Sequence, residues 1–492
     1  MKTRANRGQV DQDDTVTRLV GELDDWATGS GPLFRRLSRT IASCIERGVL
    51  ARGSRLPPER TLAATLVVAR GTVVAAYDML VADGLIERRR GSGTFVAGEG
   101  VLGLPPGREG SALVHRLVDR SAAPSEMIDL SISVLHDASG LPRVSLSTRE
   151  LASVHPDTGL SPWGISELRA AVATHVTRWG LATSAEEVVI TTGAQQAISV
   201  AAACWLRPGD TVVVDDPTYP GAIAAFAQAG ARLRPVPVDR GGMQVDALAA
   251  ALEESPALVY LQSTVQSPTG SLMPDTRRRS IARLIEQWRA PLVEDMALAD
   301  LAWRPAPPPI ATYCPDASVA VVGSLSKVFW GGLRIGWVRA PRSLATRFAR
   351  VKATHDLGSS AVSQLLGERL LRLLDRDGAS DSDYLDGLRT ELRHRYEVLA
   401  HALHQHLPSW RWDPPSGGLS IWVRLPEANA DAVAQAGLRR GVAVATASAL
   451  STSGVHADRL RLAFSAPPPV LEEGVRRLAA ADIRTSGSIR AS

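Results

Sequence analysis

Five short runs of the chain, EEVVIT (186–191), TVVVDDP (211–217), ALVYLQS (257–263), APLVED (290–295) and SVAVVGS (318–324), are near-continuous in Val, Ile and Leu. A strand with one wet face alternates apolar and polar residues. A run that is apolar at successive positions needs cover on both faces, as in a parallel sheet wrapped by helices. Helical stretches alternate with these runs from about residue 126 onward, which predicts an α/β domain with a mostly parallel sheet. In such sheets ligands bind beyond the carboxyl ends of the strands. The polar or glycine-bearing turns that end these runs are therefore the first place to look for chemistry.

Four of those turns carry suggestive residues. VITTGAQQAISVAA passes from a strand through Gly193 into a helix, so the backbone N–H groups of Ala194 and Gln195 face an anion or, more simply, only open a helix. VVVDDPTYPG puts Tyr219 in a loop, where its ring either stacks on a flat ligand or caps the core. PLVEDMALAD ends on Glu294 and Asp295. An acid there can hold a basic ring nitrogen protonated; a metal pair or a solvated turn are the other readings. The fourth, GSLSKVFWGGLRIG (323–336), supplies Ser324, Ser326, Lys327 and Arg334.

Lys327 stands out because the chain has only three lysines, with Lys2 and Lys352, among 55 lysines and arginines. Guanidinium stays protonated and attacks carbonyls poorly. A buried lysine can lose its proton and form a Schiff base. Hydroxyls with an arginine suit a phosphate, the lysine suits an aldehyde, and the acid suits a pyridine nitrogen. Pyridoxal 5′-phosphate meets all of these requirements.

The amino-terminal part reads differently. Residues 31–97 hold eleven arginines and five acids, although the whole chain is only +4. Such a concentration of positive charge points to a polyanion or to a solvated basic face. Leu33, Leu37, Ile41 and Ile45 have helical spacing; PPERTLAATLVVAR starts a second helix; a third packs Val73, Tyr77 and Leu80. Two strand-like runs then flank a GSG turn. Three helices and a hairpin make a winged helix-turn-helix for double-stranded DNA. Its third helix would meet base edges with Arg70, Gly71 and Thr72. Arg55 and Arg60 would flank the groove, and the hairpin tip at Ser92, Gly93 and Thr94 would approach the backbone. Residues 1–30 read as an extension, 98–125 as a linker with a short helix near 111–120, and 483–492 as a tail.

No apolar run approaches the ~20 residues of a membrane helix. The first thirty residues lack a signal-peptide core, and Cys44, Cys204 and Cys314 match no metal or disulfide spacing. A cytoplasmic protein with no membrane partner and no metal is the expectation.

GSRLPPER, R-x-T-V at 70–73, Y-x-x-L at 77–80, GLI at 84–86 and GSGTFV at 91–96 resemble the GntR family of bacterial regulators. Ala69, and Val74 to Ala76, depart from that pattern at positions tied to sequence specificity. Residues 130–480 resemble a fold-type I aminotransferase, and the fusion resembles the MocR (GabR-like) regulators over almost the whole chain. The resemblance implies that Lys327 is the aldimine lysine, Asp295 the pyridinium partner and Tyr219 the stacking aromatic. Ser324, Ser326 and Arg334, with the backbone at Gly193, Ala194 and Gln195, would form the phosphate cup. Arg461 in RLRLAFS would take an effector carboxylate, with Arg459 as its competitor, and SPWGISELR (161–169) would enter the small domain. It also implies a homodimer with each head over its partner's large domain, an operator with two half-sites, and a small amine or amino-acid effector.

Departures from the pattern bear on turnover. Ser267 stands where an Asn or aromatic is usual, and Met296, Ala297 and Leu298 where a tyrosine is usual. Leu160 replaces a second tyrosine, and Pro220-Gly221 replaces an arginine. Hydrogen bonds to charged groups are worth ~1.5–3 kcal/mol each, so the ring site is thinner than in an efficient enzyme. A regulator dependent on pyridoxal 5′-phosphate is therefore the leading expectation. An active aminotransferase with an accessory DNA module, and a regulator whose sensor has lost the cofactor, are the alternatives.

Overall fold

The computed structural model describes residues 26, 32–46, 50, 54–83, 85–89, 93–96, 127–135, 140–154, 158–374, 382–426 and 429–487. The expected linker, the extension (apart from residue 26), the hairpin residue Ser92 and the last residues of the tail lie outside them. The chain divides into two compact units, Met1–Arg108 and Glu109–Ser492.

In the first unit α1 (Leu33–Glu46), α2 (Glu59–Thr65) and α3 (Arg70–Ala82) precede a hairpin of β1 (Ile86–Arg89) and β2 (Gly93–Val96). The strands are antiparallel, with Ile86 opposite Val96 and Arg89 opposite Gly93. Leu37, Ile41, Leu62, Val73, Tyr77, Leu80 and Val96 fill the core. The face of α1 differs from the sequence expectation: Leu33 is 39% exposed, whereas Cys44 is fully buried. The buried stripe runs from Leu37 through Ile41 to Cys44, and Leu33 overhangs the core from the first turn. The Tyr77 hydroxyl donates to Pro57 O at 2.8 Å, tying α3 to the segment before α2.

The turn between α2 and α3 contains Val67 at φ 53°. Helices often end on a left-handed residue, usually glycine. A β-branched side chain there is strained, and Val67 is 90% exposed, so packing does not offset the strain. Val67→Gly is expected to stabilise the first unit by about 1 kcal/mol, the left-handed penalty of roughly 1–2 kcal/mol less glycine's entropic cost. The midpoint of that unit's unfolding transition in the full chain should rise; a fall would contradict the strain.

The second unit is built on an eight-stranded sheet. Its strands are β4 (Val188–Thr191), β5 (Thr211–Asp216), β6 (Arg232–Asp239), β7 (Gly242–Met243), β8 (Leu258–Leu261), β9 (Leu292–Asp295), β10 (Val319–Ser324) and β11 (Gly336–Arg339). Their order across the sheet is β4-β11-β10-β9-β8-β5-β6-β7. From β10 to β6 all neighbours are parallel. β11 is antiparallel to both β10 and β4, and β7 to β6.

Double coverage is visible residue by residue. Val212, Val214, Tyr260, Val293 and Val322 enter one apolar cluster, with residues of α6 (Ala194–Trp205), α7 (Pro220–Gln228) and the long helix Arg342–Asp356. Their alternates Val213, Val259, Leu261, Leu292 and Val321 enter another, on the opposite face, with Ser166–Arg178, Val245–Leu252 and Asp275–Trp288. This is why these runs have no polar alternation.

A smaller antiparallel sheet follows, formed by Arg411–Trp412, Ser420–Arg424, Arg459–Ala463 and Ala445–Thr446 in that order. β3 (Ile128–Asp129) pairs in parallel with Val442–Ala443, joining the start of this unit to its carboxyl-terminal part, and is followed in the chain by α4 (Thr148–Val154) and α5 (Ser166–Arg178). The last helix, Pro468–Gly487, runs past the boundary expected at 482.

Candidate functional site

The parallel strands end together, and the side chains named from the sequence converge there. β9 ends at Asp295, which is buried. β10 ends at Ser324, and the turn after it carries Ser326 and Lys327. A 3-10 turn, Gly331–Leu333, leads to Arg334 at φ 54°. α6 starts after Gly193 (φ 96°), and its first-turn N–H groups have no partner within the helix. Tyr219 caps the start of α7 rather than sitting in an open loop.

Lys327 is half-buried and its Nζ donates to Ser133 O at 2.7 Å. Burial, then the nearby Arg461 guanidinium, lowers its amine from 10.5 to about 8; Asp295 opposes this and Arg334 adds to it. A substantial share of the amine is therefore neutral near physiological pH. Arg461 is buried in the strand Arg459–Ala463, beside Trp422 and Ala445, and its Nη2 donates to Ser131 O. Arg459 instead sits at the half-exposed start of that strand, 4.0 Å from Asp458. Of the two arginines, Arg461 is the one that faces Lys327.

The Asp295 carboxylate accepts from three donors. Tyr260 Oη lies 2.6 Å and Gln262 Nε2 3.4 Å from Oδ2, and Ala297 N lies 2.9 Å from Oδ1. Burial pushes the carboxyl up, while these donors and the Lys327 amine pull it down. Glu294 points to the other face of β9, where it accepts from Ser263 and the Ile310 and Ala311 N–H groups. The two acids are therefore separated by the sheet and do not form a pair. Among the described residues no cluster of His, Cys, Asp and Glu could hold a metal.

Around the start of α6 the geometry suits an anion. Ser326 Oγ is buried without a hydrogen-bond partner among the described residues. Ser326 N donates to Ser324 Oγ at 3.2 Å. A Cβ on Gly193 would lie 3.3 Å from Arg334 Nη2, and that group donates to Thr192 O at 2.6 Å. Gln195 Nε2 donates to Gly221 O at 2.9 Å, and a Cβ on Gly221 would lie 2.0 Å from Gln195 Oε1 and 2.4 Å from Tyr219. Pro220-Gly221 thus keeps backbone close to Gln195. An orphan hydroxyl, a guanidinium and helix-start N–H groups, next to an amine and a carboxylate, fit pyridoxal 5′-phosphate. Ser267 is buried and joined to this group: its N–H donates to Gln262 Oε1 at 2.9 Å.

In the first unit Arg70 is the first residue of α3 and exposed, 3.9 Å from Glu59. Gly71 opens onto free space, and Thr72 is half-buried one position on. Arg60 is exposed on α2. Arg55 bridges to Phe95 and lays its guanidinium over Gly93, where a Cβ would meet Nε at 2.8 Å. Thr94 follows in β2, half-buried.

Residues 125–478 match the model of aminotransferase class I and II, and residues 34–96 that of the bacterial regulatory proteins of the gntR family. The HTH-type transcriptional regulator YdfD of Bacillus subtilis is 28% identical over 91% of this chain and 95% of its own length. "Probable rhizopine catabolism regulatory protein MocR" of Rhizobium meliloti is 29% identical over 82% of this chain and 83% of its own. The chain belongs to the MocR-like family. Its members are transcription regulators with an aminotransferase-like domain, and the GntR head implies DNA binding. Among solved structures, LysN, the α-aminoadipate aminotransferase of Thermus thermophilus complexed with N-(5′-phosphopyridoxyl)-L-leucine, matches with a TM-score of 0.63. It is 27% identical and covers 76% of this chain and 96% of that one.

Three features of this MocR-like site were not singled out from the sequence. Tyr260 and Gln262 read as part of an apolar strand, yet a glutamine at the end of such a run is a signal of a polar strand end. Asp215 is fully buried on β5; burial drives its carboxyl up to about 8 while Gln262 N donates to it at 2.8 Å. The carbonyls of Ser131 and Ser133 leave no mark on sequence, since any residue supplies them. Leu160 is 59% exposed and touches none of these groups by hydrogen bond. Among the described residues no helix is long and apolar enough to cross a membrane.

With three lysines in the chain, competitive amine labelling read per peptide isolates Lys327. Its labelling should rise with pH about a midpoint near 8, in the protein without cofactor. A midpoint at the ordinary lysine value would contradict the electrostatic account of the site.

Proposed function

We propose that this chain is a bacterial cytoplasmic regulator that binds operator DNA as a homodimer. Its aminotransferase-like domain holds pyridoxal 5′-phosphate through Lys327 and senses an amine or amino-acid effector. The observation that carries this reading is the convergence of the Lys327 amine, the buried Asp295 and Arg461, and the Ser326 hydroxyl, which has no hydrogen-bond partner among the described residues, at the ends of the parallel strands. When bound, the cofactor supplies an electrophilic carbon to which a primary amine can add. Lys327 supplies the resident amine. Asp295 would meet the ring nitrogen, and Tyr219 would stack on the ring. Ser324, Ser326, Arg334 and the start of α6 at Gly193, Ala194 and Gln195 would take the phosphate, and Ser267 would lie at the ring site. Arg461 takes the effector carboxylate. An effector that favours one of two conformations shifts DNA binding by its differential affinity for them.

In the head, Arg70, Gly71 and Thr72 lead into the major groove, and Arg55, Arg60, Gly93 and Thr94 meet the backbone. A dimer reads two half-sites. The expected Ser92 contact lies outside the described residues. The intact set of Lys327, Asp295 and Arg461 favours one second reading, turnover of an amino acid by the same site. Steady product formation with an amino-acid panel and 2-oxoglutarate would put that reading first.

Borohydride treatment of the cofactor-loaded protein should fix cofactor mass on the Lys327 peptide. Lys327→Ala should lose both that mass and the visible band; a variant that keeps the band contradicts the assignment. Arg70→Ala should weaken operator binding by about 1–3 kcal/mol if it reads a base edge. An unchanged affinity across a salt series would remove Arg70 from the interface.

A further inference from the structure

Tyr260 is buried in the sheet, edge-on to Phe226 with ring centroids 5.6 Å apart. Its hydroxyl is not satisfied by backbone but by Asp295 Oδ2, at 2.6 Å. The parallel register of β8 and β9 sets this up. Tyr260 lies opposite Val293 and Leu261 opposite Glu294, so the next residue, Gln262, falls beside Asp295. Period-two alternation then places Tyr260, Gln262, Val293 and Asp295 on one face. Gln262 is itself fixed at both ends of its amide. Its Oε1 accepts from Ser267 N, and its Nε2 reaches Asp295 at 3.4 Å.

We infer that Tyr260, with Gln262 in support, is a positioning residue: it donates to Asp295 Oδ2 and so keeps that carboxylate ionised and oriented toward the ring nitrogen. The inference rests on the reading that this site holds pyridoxal 5′-phosphate. Each donor to a carboxylate favours its charged form, and an ionised partner keeps a ring nitrogen protonated. Burial alone would do the opposite, since desolvation drives Asp295 toward its neutral form. Other groups facing this carboxylate are the Lys327 amine, the Tyr219 hydroxyl and the buried Asp215. Of these, only Lys327 is a cation, and it is the group that a bound aldehyde would engage. With Lys327 so engaged, the charge state of Asp295 depends more heavily on its three donors, Tyr260, the Ala297 N–H and Gln262. The site thus gains side-chain support from Tyr260 and Gln262 beside the backbone N–H of Ala297.

The test is a spectral pH titration of the cofactor-loaded full-length protein. A protonated ring nitrogen withdraws electrons and lowers the pH at which the visible band interconverts. Tyr260→Phe should therefore move the midpoint upward by about 1 pH unit, the equivalent of one hydrogen bond to a charged group. Gln262→Met, whose lost contact is longer, should move it the same way by less. Should Tyr260→Phe release the cofactor, the Gln262→Met titration carries the same comparison. Circular dichroism and melting of the cofactor-free variants check that the fold is kept, and a purely structural tyrosine would alter melting without moving the midpoint. A yellow wild type whose variants titrate at the wild-type midpoint overturns the role of Tyr260 and leaves the cofactor reading standing. A wild type that takes up no cofactor overturns that reading and the role of Tyr260 with it.

Discussion

Lys327 is held partly neutral because the sheet that presents it is dry on both sides and two guanidinium groups stand near its amine. Coverage of alternate strand residues by two separate apolar clusters removes water from behind the strand ends. Arg461 and Arg334 then make a further positive charge unfavourable, and Asp295 only partly offsets them. The same dryness raises Asp295 and Asp215, so the hydrogen-bond donors on β8 are needed to keep a carboxylate charged there. Amine and acid are thus set by one feature of the fold.

The carbonyls of Ser131 and Ser133 add a second constraint. The segment after Ile128–Asp129 offers one carbonyl to Arg461 and another, two residues on, to Lys327. A ligand that engages Lys327 would compete with the Ser133 carbonyl for its amine, whereas Arg461 has further N–H groups beside the one given to Ser131. That links ligand occupancy to a segment anchored on the carboxyl-terminal strand Val442–Ala443.

Much of this was legible in the sequence, for physical reasons. Val212 to Val214 and Val319 to Val322 are apolar at adjacent positions because each neighbour enters a different core, so the parallel sheet could be read directly. Among three lysines in an arginine-rich chain, Lys327 stood out by its Gly/Ser-rich surroundings at a strand end. Less legible was what depends on contacts distant in sequence: Tyr260 looks like an ordinary strand aromatic until β9 is laid beside it. Leu33 has the right spacing for the core of the first unit yet lies exposed, since the register of α1 against α3 is fixed by Leu37 and Ile41. Val67 carries no sequence signal of its left-handed backbone, which the chain reversal between α2 and α3 imposes.

The central claim is that binding of an amine effector at the Lys327 site is reported to the DNA-binding head. The most direct test is a titration of labelled operator DNA with cofactor-loaded full-length protein, with and without each member of an amine and amino-acid panel, for wild type and Lys327→Ala. The account predicts that at least one amine changes wild-type affinity by about five-fold or more, the lower range of allosteric coupling, and that Lys327→Ala does not respond. An amine response of equal size in Lys327→Ala, or operator affinity that no amine changes in the loaded wild type, would contradict it.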